Sequence, residues 1–239
     1  MERIRFEGKT AVVTGGAHGI GKAIAEAFRE EGATVHIIDI AKGEGWFQGD
    51  VGKQEDLERF AAHVLSVSPQ VDFLIHNALP PMHGIDSCTY EEFSRALTIG
   101  VTAPFYLTKL FLGHLAPGAA IVCISSSRDR MSQPQTESYT AAKGGIAALT
   151  HAMAISLAGT ARVNSISPGW IETRGHTYEG ADCIQQPVGR VGKPSDIASL
   201  ALFLCSEEAG FITGENIAVD GGMTHQMIYH GDHGWQLTP

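Results

Sequence analysis

Residues 10–21 read TAVVTGGAHGIG, a short apolar run followed directly by a turn that holds four glycines. The apolar run predicts a β-strand, and the helical spacing of apolar residues over 20–30 predicts a helix after the turn. Glycines allow the close backbone approach that a bound phosphate needs, and a helix N-terminus supplies N–H donors. Such a turn alone also fits an ordinary connection, but its place after the first core strand favours a dinucleotide site.

Apolar runs of strand length alternate with helical segments along the whole chain. The runs are almost continuously apolar, which is typical of parallel strands covered on both faces. Repeated strand–helix–strand units predict a doubly wound α/β fold with right-handed crossovers. With no linker or repeat, residues 1–239 are predicted to form one domain. Predicted strands lie at residues 10–14, 34–38, 71–76, 119–125, 162–167 and 216–219, with 46–48 as a further short strand. Predicted helices lie at residues 20–30, 55–67, 91–115 with a break near 100–104, 138–157 and 195–206.

The composition excludes several classes of protein. Hydrophobic residues make up 44% and charged residues 18% of the 239, which fits neither a disordered acidic chain nor a coiled coil. The net charge is −9 and no basic run appears, so no nucleic-acid partner is expected. No stretch approaches the roughly 18 apolar residues of a membrane span, and the first ten residues lack a signal core. Four widely spaced cysteines without a CxxC pair predict a reduced, cytoplasmic protein.

Asp39 ends the second predicted strand, 18 residues after Gly21. A carboxylate at this place accepts hydrogen bonds from the ribose hydroxyls of adenosine and repels a 2′-phosphate. The alternative is a solvated aspartate at the end of a strand. Neither neighbour offers a fixed cation for a phosphate, because Ile40 follows Asp39 and the turn carries His18. The sequence therefore predicts NAD rather than NADP.

Two further residue pairs are predicted to meet the cofactor. Asp50 and Val51 are placed to bracket an adenine ring by a hydrogen bond and an apolar contact. Asn77 and Ala78 end the strand predicted over 71–76. That is the carboxyl edge of the sheet, where open α/β folds bind their ligands.

The chemistry is predicted to lie with Ser126, Tyr139 and Lys143. Tyr139 and Lys143 are four residues apart in a predicted helix, which places them on one face. A phenol has a pKa near 10, and both the Lys143 ammonium and an oxidised nicotinamide would stabilise its phenolate. Lys143 can also hold ribose hydroxyls, while Ser126 can orient the substrate oxygen. A YxxxK pair alone is more often an ordinary exposed helix, but Ser126 and the glycine turn favour the catalytic interpretation.

Together these motifs resemble the short-chain dehydrogenase/reductase family, in its short single-domain branch. The resemblance runs in order through GKTAVVTGGAHGIG, ISSS, YTAAK, RVNSISPGWIET and FITGENIAVDGG, which span nearly the whole chain. It implies a Rossmann-like doubly wound sheet of about seven parallel strands with helices on both faces. It also implies a nicotinamide cofactor and a homo-oligomer, a tetramer or a dimer. The branch that epimerises nucleotide sugars fits less well, because it is longer and its glycine turn is differently spaced.

The resemblance assigns roles to individual residues. It makes Ser126, Tyr139 and Lys143 the catalytic residues, and it places a segment beginning at Pro168 against the nicotinamide carboxamide. The predicted cofactor contacts are Gly15, His18, Gly19, Ile20, Gly21, Asp39, Asp50, Val51, Asn77, Ala78, Tyr139, Lys143, Pro168, Gly169, Ile171 and Thr173.

No metal is expected, because the histidines form no HxxxH or HExxH pattern. His83 and His176 fall in predicted pocket loops and are candidates for substrate contact. Residues 174–188 are predicted to form a mobile substrate lid that is shorter than the usual helical lid of the family. Residues 223–239 form a C-terminal tail. The histidines considered are His76, His83, His176, His225, His230 and His233.

Two positions depart from the family pattern. Leu79 follows Asn77 and Ala78 where the family has a glycine, which predicts a reshaped wall near the nicotinamide. Gly100 stands where the family has an asparagine that anchors a proton-relaying water. Either water fills the vacated space and keeps a proton path to Lys143, or the relay is broken.

The sequence therefore predicts an NAD-dependent oxidoreductase that transfers hydride between nicotinamide and a small secondary alcohol or ketone, with Tyr139 as general acid and base. Two alternatives stay open. A 3-oxoacyl thioester reductase would favour NADPH, and Asp39 argues against it. A nucleotide-sensing binding protein with little turnover is suggested by Gly100, and the intact set of Ser126, Tyr139 and Lys143 argues against it.

Overall fold

Within residues 5–234 and residue 236, which the computed structural model describes, seven parallel strands form one sheet. The order across the sheet is β3-β2-β1-β4-β5-β6-β7, and every neighbouring pair is parallel. This confirms the predicted Rossmann-like fold. The strands are β1 (Thr10–Thr14), β2 (Thr34–Asp39), β3 (Phe47–Gln48), β4 (Val71–His76), β5 (Leu115–Ile124), β6 (Ala161–Pro168) and β7 (Asn216–Val219).

Helices cover both faces of this sheet, as predicted. The helices are α1 (Gly19–Glu30), α2 (Gln54–Val67), α3 (Tyr90–Leu97), α4 (Ala103–Phe111), α5 (Glu137–Ser156), α6 (Ala181–Ile184) and α7 (Pro194–Cys205). On one face, α1 and α7 bury Phe28 and Ile197 against the strands. On the other face, α2, α4 and α5 bury Phe60, Phe111 and Ile146. In this order β1 lies between β2 and β4, so the connections run outward from β1 in one direction and from β4 in the other. A crevice therefore opens at the carboxyl ends of β1 and β4.

The helix predicted over 91–115 is interrupted where the sequence placed its break. After α3 the chain passes through a π-helical turn, Thr98–Thr102, before α4 begins with Pro104 in its first turn. The predicted end of this helix was wrong, because Leu115 already belongs to β5 and pairs with Val71 of β4. A register irregularity follows that pair, and it separates the first residues of β5 from the regular ladder.

The stretch Tyr90–His114 is long and apolar enough to cross a membrane by length and composition alone, because an 18-residue window within it has a mean hydropathy of 1.3. This corrects the expectation that no stretch approaches a membrane span. Four of its apolar side chains, Ala96, Ile99, Leu107 and Phe111, are buried in the protein. The stretch is therefore a core helix of the fold.

The C-terminal tail, predicted over 223–239, starts four residues after the end of β7. It forms single 3-10 turns at Met223–His225 and Asp232–Gly234. Just before it, the carbonyl of Gly221 accepts a hydrogen bond from the backbone N–H of Val188 (3.2 Å), at the end of the predicted lid. Residue 235 and residues 237–239 of the tail lie outside the described residues, as do residues 1–4.

Candidate active site

The glycine turn packs tightly against the end of β4. Gly15 has a φ of +67°, and a Cβ there would lie 2.9 Å from the Cα of Ala78. A Cβ at Gly21 would lie 2.1 Å from the Gly15 carbonyl oxygen, so both positions require glycine. Helix α1 begins at Gly19 with His18 as its N-cap, and its first turn holds no acidic side chain. The N–H groups of that turn lack helical acceptors, so they can bind an anion.

Asp39 fastens the glycine turn to the end of β2. Its carboxylate accepts backbone hydrogen bonds from Ala17 (2.9 Å) and Ala41 (2.9 Å), one at each oxygen. The carboxylate is predicted to accept the ribose hydroxyls of adenosine, and each of its oxygens already holds a backbone donor. A carboxylate offers about four acceptor positions, so two remain for a ligand.

Asn77 and Ala78 lie against the same turn. The side-chain amide of Asn77 donates to the carbonyls of Thr14 (3.1 Å) and Gly15 (2.8 Å). The Thr14 hydroxyl in turn accepts from the backbone N–H groups of Asn77 (2.9 Å) and Ala78 (3.1 Å). Asn77 therefore shapes the turn with its side chain. Leu79, which follows, is exposed.

Asp50 lies after β3 and is held by an ion pair with Arg95 of α3. Its carboxylate accepts from the Arg95 guanidinium (2.9 Å) and from the backbone N–H of Gly52 (2.8 Å). Val51 is buried and lines a small cavity that Gly100 also borders. The adenine contact of Asp50 and Val51 stays a prediction.

Ser126, Tyr139 and Lys143 are brought together at the carboxyl end of β5. Ser126 follows the strand end by two residues, and α5 presents the other two. The hydroxyls of Ser126 and Tyr139 share a hydrogen bond. The ammonium of Lys143 donates to the carbonyl of Ile124 (2.7 Å) and lies 5.4 Å from the centroid of the Tyr139 ring. The three predicted catalytic residues thus form one cluster.

Burial sets the proton affinities of this cluster. It raises the pKa of Tyr139 above the ordinary value, while the hydrogen bond with Ser126 and the positive charge of Arg128 act in the opposite direction. Burial also lowers the pKa of Lys143 to about 7. The expectation that the Lys143 ammonium lowers the pKa of Tyr139 is not met by the protein alone, because burial disfavours the lysine charge.

Gly100 lies in the π-helical turn and faces α5. A Cβ at Gly100 would lie 2.8 Å from the Cβ of Ala142, the residue before Lys143. A cavity of about 10 Å³ adjoins Gly100 and is lined by Thr14 and His76 among others. Such a cavity has room for about one water molecule. The missing side chain therefore has a packing reason, and a small cavity with a mainly apolar lining lies beside it.

The segment after β6 runs from the sheet to the glycine turn. The backbone N–H of Gly169 donates to the Val219 carbonyl (3.0 Å), and Ile171 bridges to Gly192. A Cβ at Gly19 would lie 3.2 Å from the side-chain methyl of Thr173. The predicted nicotinamide-binding segment, Pro168 to Thr173, therefore reaches the residues predicted to hold the pyrophosphate.

The predicted lid, residues 174–188, contains the short helix α6 and is tied down at its start. Glu172 accepts a hydrogen bond from the Tyr178 hydroxyl and others from two backbone N–H groups, and these bonds lower the pKa of Glu172 to about 2. Trp170 packs edge-on against the Tyr178 ring, with centroids 4.7 Å apart. The side chain of Glu172 thus links the end of the cofactor segment to the lid.

The histidines lie in separate environments. Across residues 5–234 and 236, no three His, Cys, Asp or Glu side chains come together as metal ligands. His76 is buried on β4, shares a hydrogen bond with the Thr108 hydroxyl (2.9 Å), and has its pKa lowered to about 3 by burial. His83 donates its backbone N–H to the Ser138 hydroxyl (2.8 Å), beside Tyr139. The side chain of His233 lies outside what the structure describes.

Arg128 is a site residue that the sequence analysis missed. Its backbone N–H donates to the Ser126 hydroxyl (3.2 Å). Its guanidinium donates to the sulfur of Met82 (3.3 Å) and to the side-chain oxygen of Gln133. The available signal was its place two residues after Ser126.

Asp129 was also missed, and it anchors the turn that carries Ser126. Its backbone N–H donates to the Ser126 carbonyl (2.9 Å). Its carboxylate accepts from the Ser167 hydroxyl on β6 (3.0 Å) and from the Asn216 amide on β7. Arg130 forms an ion pair with the same carboxylate at 3.0 Å. The serine turn is therefore bound to the last two strands.

Sequence comparison finds relatives along almost the full length. Residues 15–224 match a family model described as Enoyl-(Acyl carrier protein) reductase. The chain is 35% identical to an L-fucose dehydrogenase of Mus musculus, over 91% of this chain and 89% of that protein. It is 32% identical to a cis-4-hydroxycyclohexanecarboxylate dehydrogenase of Sinomonas cyclohexanicum, over 92% of this chain and 98% of that protein.

Solved structures share the architecture. An apo SCOR enzyme from Clostridium thermocellum superposes with a TM-score of 0.92 at 41% identity, covering 97% of this chain and 99% of that one. A short-chain dehydrogenase/reductase from Brucella melitensis, called a glucose/ribitol dehydrogenase, superposes with a TM-score of 0.85 at 33% identity, covering 92% and 98%. The fold, the glycine turn, the YxxxK pair and these matches agree, and the chain belongs to the short-chain dehydrogenase/reductase family.

Proposed function

We propose that the protein is an NAD-dependent dehydrogenase that transfers a hydride between nicotinamide and a secondary alcohol or ketone. The observation that carries the proposal is the cluster of Ser126, Tyr139 and Lys143 at the edge of the sheet where the glycine turn lies. We further propose that residues 1–239 form a single domain and that residues 174–188 act as its substrate lid.

The crevice between β1 and β4 fits a dinucleotide. The open N-terminus of α1 suits a pyrophosphate. The turn before it is packed so closely at Gly15 and Gly21 that a Cβ at either position would overlap neighbouring protein atoms. The remaining acceptor positions of Asp39 suit a ribose and disfavour a 2′-phosphate, which supports NAD over NADP. The segment from Pro168 to Thr173 would hold the carboxamide. When bound, the cofactor supplies the hydride acceptor or donor.

The side chains would handle the proton and the substrate oxygen. The Tyr139 oxygen takes the hydroxyl proton when the alcohol is oxidised and returns it when the ketone is reduced. The Ser126 hydroxyl donates to the substrate oxygen and holds it in place. The Lys143 amine gains or loses a proton near neutral pH, because burial lowers its pKa to about 7, so it can take part in proton exchange beside Tyr139.

The names of the relatives support a small, polar, ring-forming alcohol as the substrate. One relative is named for L-fucose and another for a hydroxycyclohexane that carries a carboxylate. We therefore propose sugars and substituted cyclohexanols as the first compounds to test.

A second candidate is a 3-oxoacyl thioester reductase. The description of the matching family model supports only the thioester part of this candidate, because it names an enoyl group on an acyl carrier protein, whose C=C bond rather than a 3-oxo group is reduced. Asp39 disfavours it, because such a reductase would use NADPH. The two candidates differ in both cofactor and substrate, so one assay separates them.

The test is turnover of a panel of sugars, cyclohexanols and one acetoacetyl thioester, each with the NAD and the NADP forms of the cofactor. We expect turnover of alcohols with NAD, and we expect Tyr139→Phe to bind NADH normally while losing about 100-fold in kcat. Thr140→Val, which alters the next residue of α5, is the control. Thioester reduction with NADPH in place of alcohol turnover would overturn the proposal, as would near-normal kcat in Tyr139→Phe.

We also propose a cytoplasmic homo-oligomer. The four cysteines are free, and two of them are buried. Large apolar side chains, Phe105, Leu112 and Ile155, are exposed on and after α4 and on α5, where a second copy would cover them. Light scattering after size exclusion should give the mass of a dimer or a tetramer. A monomer at micromolar concentration would contradict this proposal.

A further inference from the structure

Arg128 holds its guanidinium between two loops beside the catalytic cluster. The guanidinium donates to the sulfur of Met82 and to the side-chain oxygen of Gln133, while its backbone N–H donates to the Ser126 hydroxyl. Arg128 is half-buried. Its side chain is thus fixed within the site.

The contact with Met82 puts the guanidinium on the side of the cluster where the first turn of α5 carries Tyr139. Ser138 ties the loop 81–83 to α5. Its hydroxyl accepts a hydrogen bond from the backbone N–H of His83 (2.8 Å) and donates one to the carbonyl of Pro81 (3.3 Å). Ser138 immediately precedes Tyr139, so Met82 and the guanidinium are held close to the phenol. The charge of Arg128 acts on the Tyr139 hydroxyl, whose pKa it lowers.

The charge of this guanidinium is not neutralised by the protein. Its two partners are a thioether and an amide, which are neutral acceptors. Within residues 5–234, no carboxylate lies at ion-pair distance from Arg128. The adjacent acid, Asp129, is already bound by Arg130, Ser167 and Asn216. A half-buried charge without a counter-ion is costly, and a bound anion would offset that cost.

We infer that Arg128 selects the substrate by binding a carboxylate that the secondary alcohol or ketone carries. This inference rests on the proposed function, because it concerns the substrate of the same site. A guanidinium binds a carboxylate through two parallel hydrogen bonds, which fixes orientation as well as charge. Ser126 holds the reacting oxygen and Arg128 the acid group, so the substrate is a hydroxy acid or an oxo acid. A single unpaired guanidinium matches a monoanion better than a doubly charged phosphate.

The test uses pairs of substrates that share a ring and differ at the group that carries the negative charge. The pair is cis-4-hydroxycyclohexanecarboxylate and its neutral carboxamide, with D-glucuronate and D-glucose as a second pair. Wild type, Arg128→Gln and Arg128→Lys are compared with NAD as cofactor. Arg130→Gln is the matched control, because it removes the same charge two residues away. A second readout is the Tm shift that 4-oxocyclohexanecarboxylate causes in the complex with oxidised NAD, which cannot reduce it.

We expect wild type to prefer the acid of at least one pair by about tenfold or more in kcat/KM, the usual scale of a charge-assisted contact. Arg128→Gln should lose that preference through a higher KM for the acids, so that each acid and its neutral partner react with equal kcat/KM. Arg128→Lys should keep part of the preference for the acid, and Arg130→Gln should keep the full preference. The oxo acid should raise the Tm of wild type and fail to raise that of Arg128→Gln.

Two results would overturn the inference while leaving the proposed function intact. One is an equal kcat/KM for acids and neutral partners in wild type. The other is an equal loss of kcat for both classes in Arg128→Gln with a shifted pH profile, which would mean that Arg128 acts through Tyr139. Turnover of none of the alcohols would instead overturn the proposed function, and the Tm shift would then still decide the role of Arg128.

Discussion

Gly100 and Ala142 approach so closely that a Cβ on the glycine would lie 2.8 Å from the Cβ of the alanine. The contact joins the π-helical turn to α5 one residue before Lys143. A glycine inside a helix costs about 1 kcal/mol relative to alanine. The contact with Ala142 gives a physical reason for that cost, because a side chain at Gly100 would push the two elements apart.

The first prediction concerns this contact and the proton path beside it. Gly100→Asn alone should lower the Tm because of the overlap with Ala142, and adding Ala142→Gly should restore most of the loss. In the double variant kcat should change less than about threefold, or roughly 0.7 kcal/mol of barrier, if water in the cavity already completes the path. Ala142→Gly alone is the control. A large gain in kcat would show instead that the relay is broken in the natural chain.

The second prediction concerns the pH dependence of stability. Burial lowers the pKa of Lys143 from 10.5 to about 7 in the folded protein. Between these values the unfolded chain binds a proton that the folded protein does not, so this group adds stability as the pH rises. Below pH 7 the buried charge destabilises by its full amount.

Lys143→Met should therefore gain Tm relative to wild type at pH 6, and this gain should shrink as the pH approaches 10. Thermal unfolding without cofactor measures the difference between the two proteins. Lys109→Met, which removes an exposed lysine of α4, should show no such slope. A Tm difference independent of pH would contradict the lowered pKa.

The third prediction concerns the choice of cofactor. Wild type should bind NADH at least tenfold more tightly than NADPH, about 1.4 kcal/mol. Asp39→Asn should narrow that gap with little loss of NADH affinity, because it keeps an oxygen for the Ala17 N–H and removes the charge. Asp39→Ala should also weaken NADH, since the glycine turn loses its anchor. Calorimetric titration gives the constants, and equal or tighter NADPH binding by wild type would reject the assignment.

The fourth prediction concerns the lid. Glu172→Gln should weaken the hydrogen bond from the Tyr178 hydroxyl, because a neutral acceptor replaces a carboxylate. Amides of residues 174–188 should then exchange hydrogen faster, and the ranking of alcohols by kcat/KM should change. Glu179→Gln, an exposed position within the lid, is the control. If Glu172→Gln leaves both the hydrogen exchange of residues 174–188 and the ranking of the alcohols unchanged, Glu172 does not control the lid.

Most of the sheet could be predicted from the sequence, because buried parallel strands leave continuous apolar runs. The start of β5 at Leu115 could not, since Pro117 and Gly118 interrupt the apolar pattern there. The cluster of Ser126, Tyr139 and Lys143 could be predicted because two of its members share one helix face. Their proton affinities could not, because burial is a property of the folded chain.

Residues that act through distant partners also escaped prediction. Asp39 was assigned to a ligand, but its bonds to Ala17 and Ala41 depend on how the glycine turn folds back on β2. Arg128 contacts Met82, which is 46 residues away along the chain. Such pairings follow from the topology of the sheet and leave no local pattern in the sequence.

The bond between Asp129 and Asn216 has a consequence for the protein during its synthesis. The carboxylate of Asp129 is 3% exposed, and its partner Asn216 lies 87 residues later. Because the ribosome makes β7 after the other strands, the turn that carries Ser126 lacks this anchor until nearly the entire chain has been translated. Once β6 is made, the Ser167 hydroxyl and Arg130 can already hold the Asp129 carboxylate, and the Asn216 amide completes the anchor only when β7 joins the sheet.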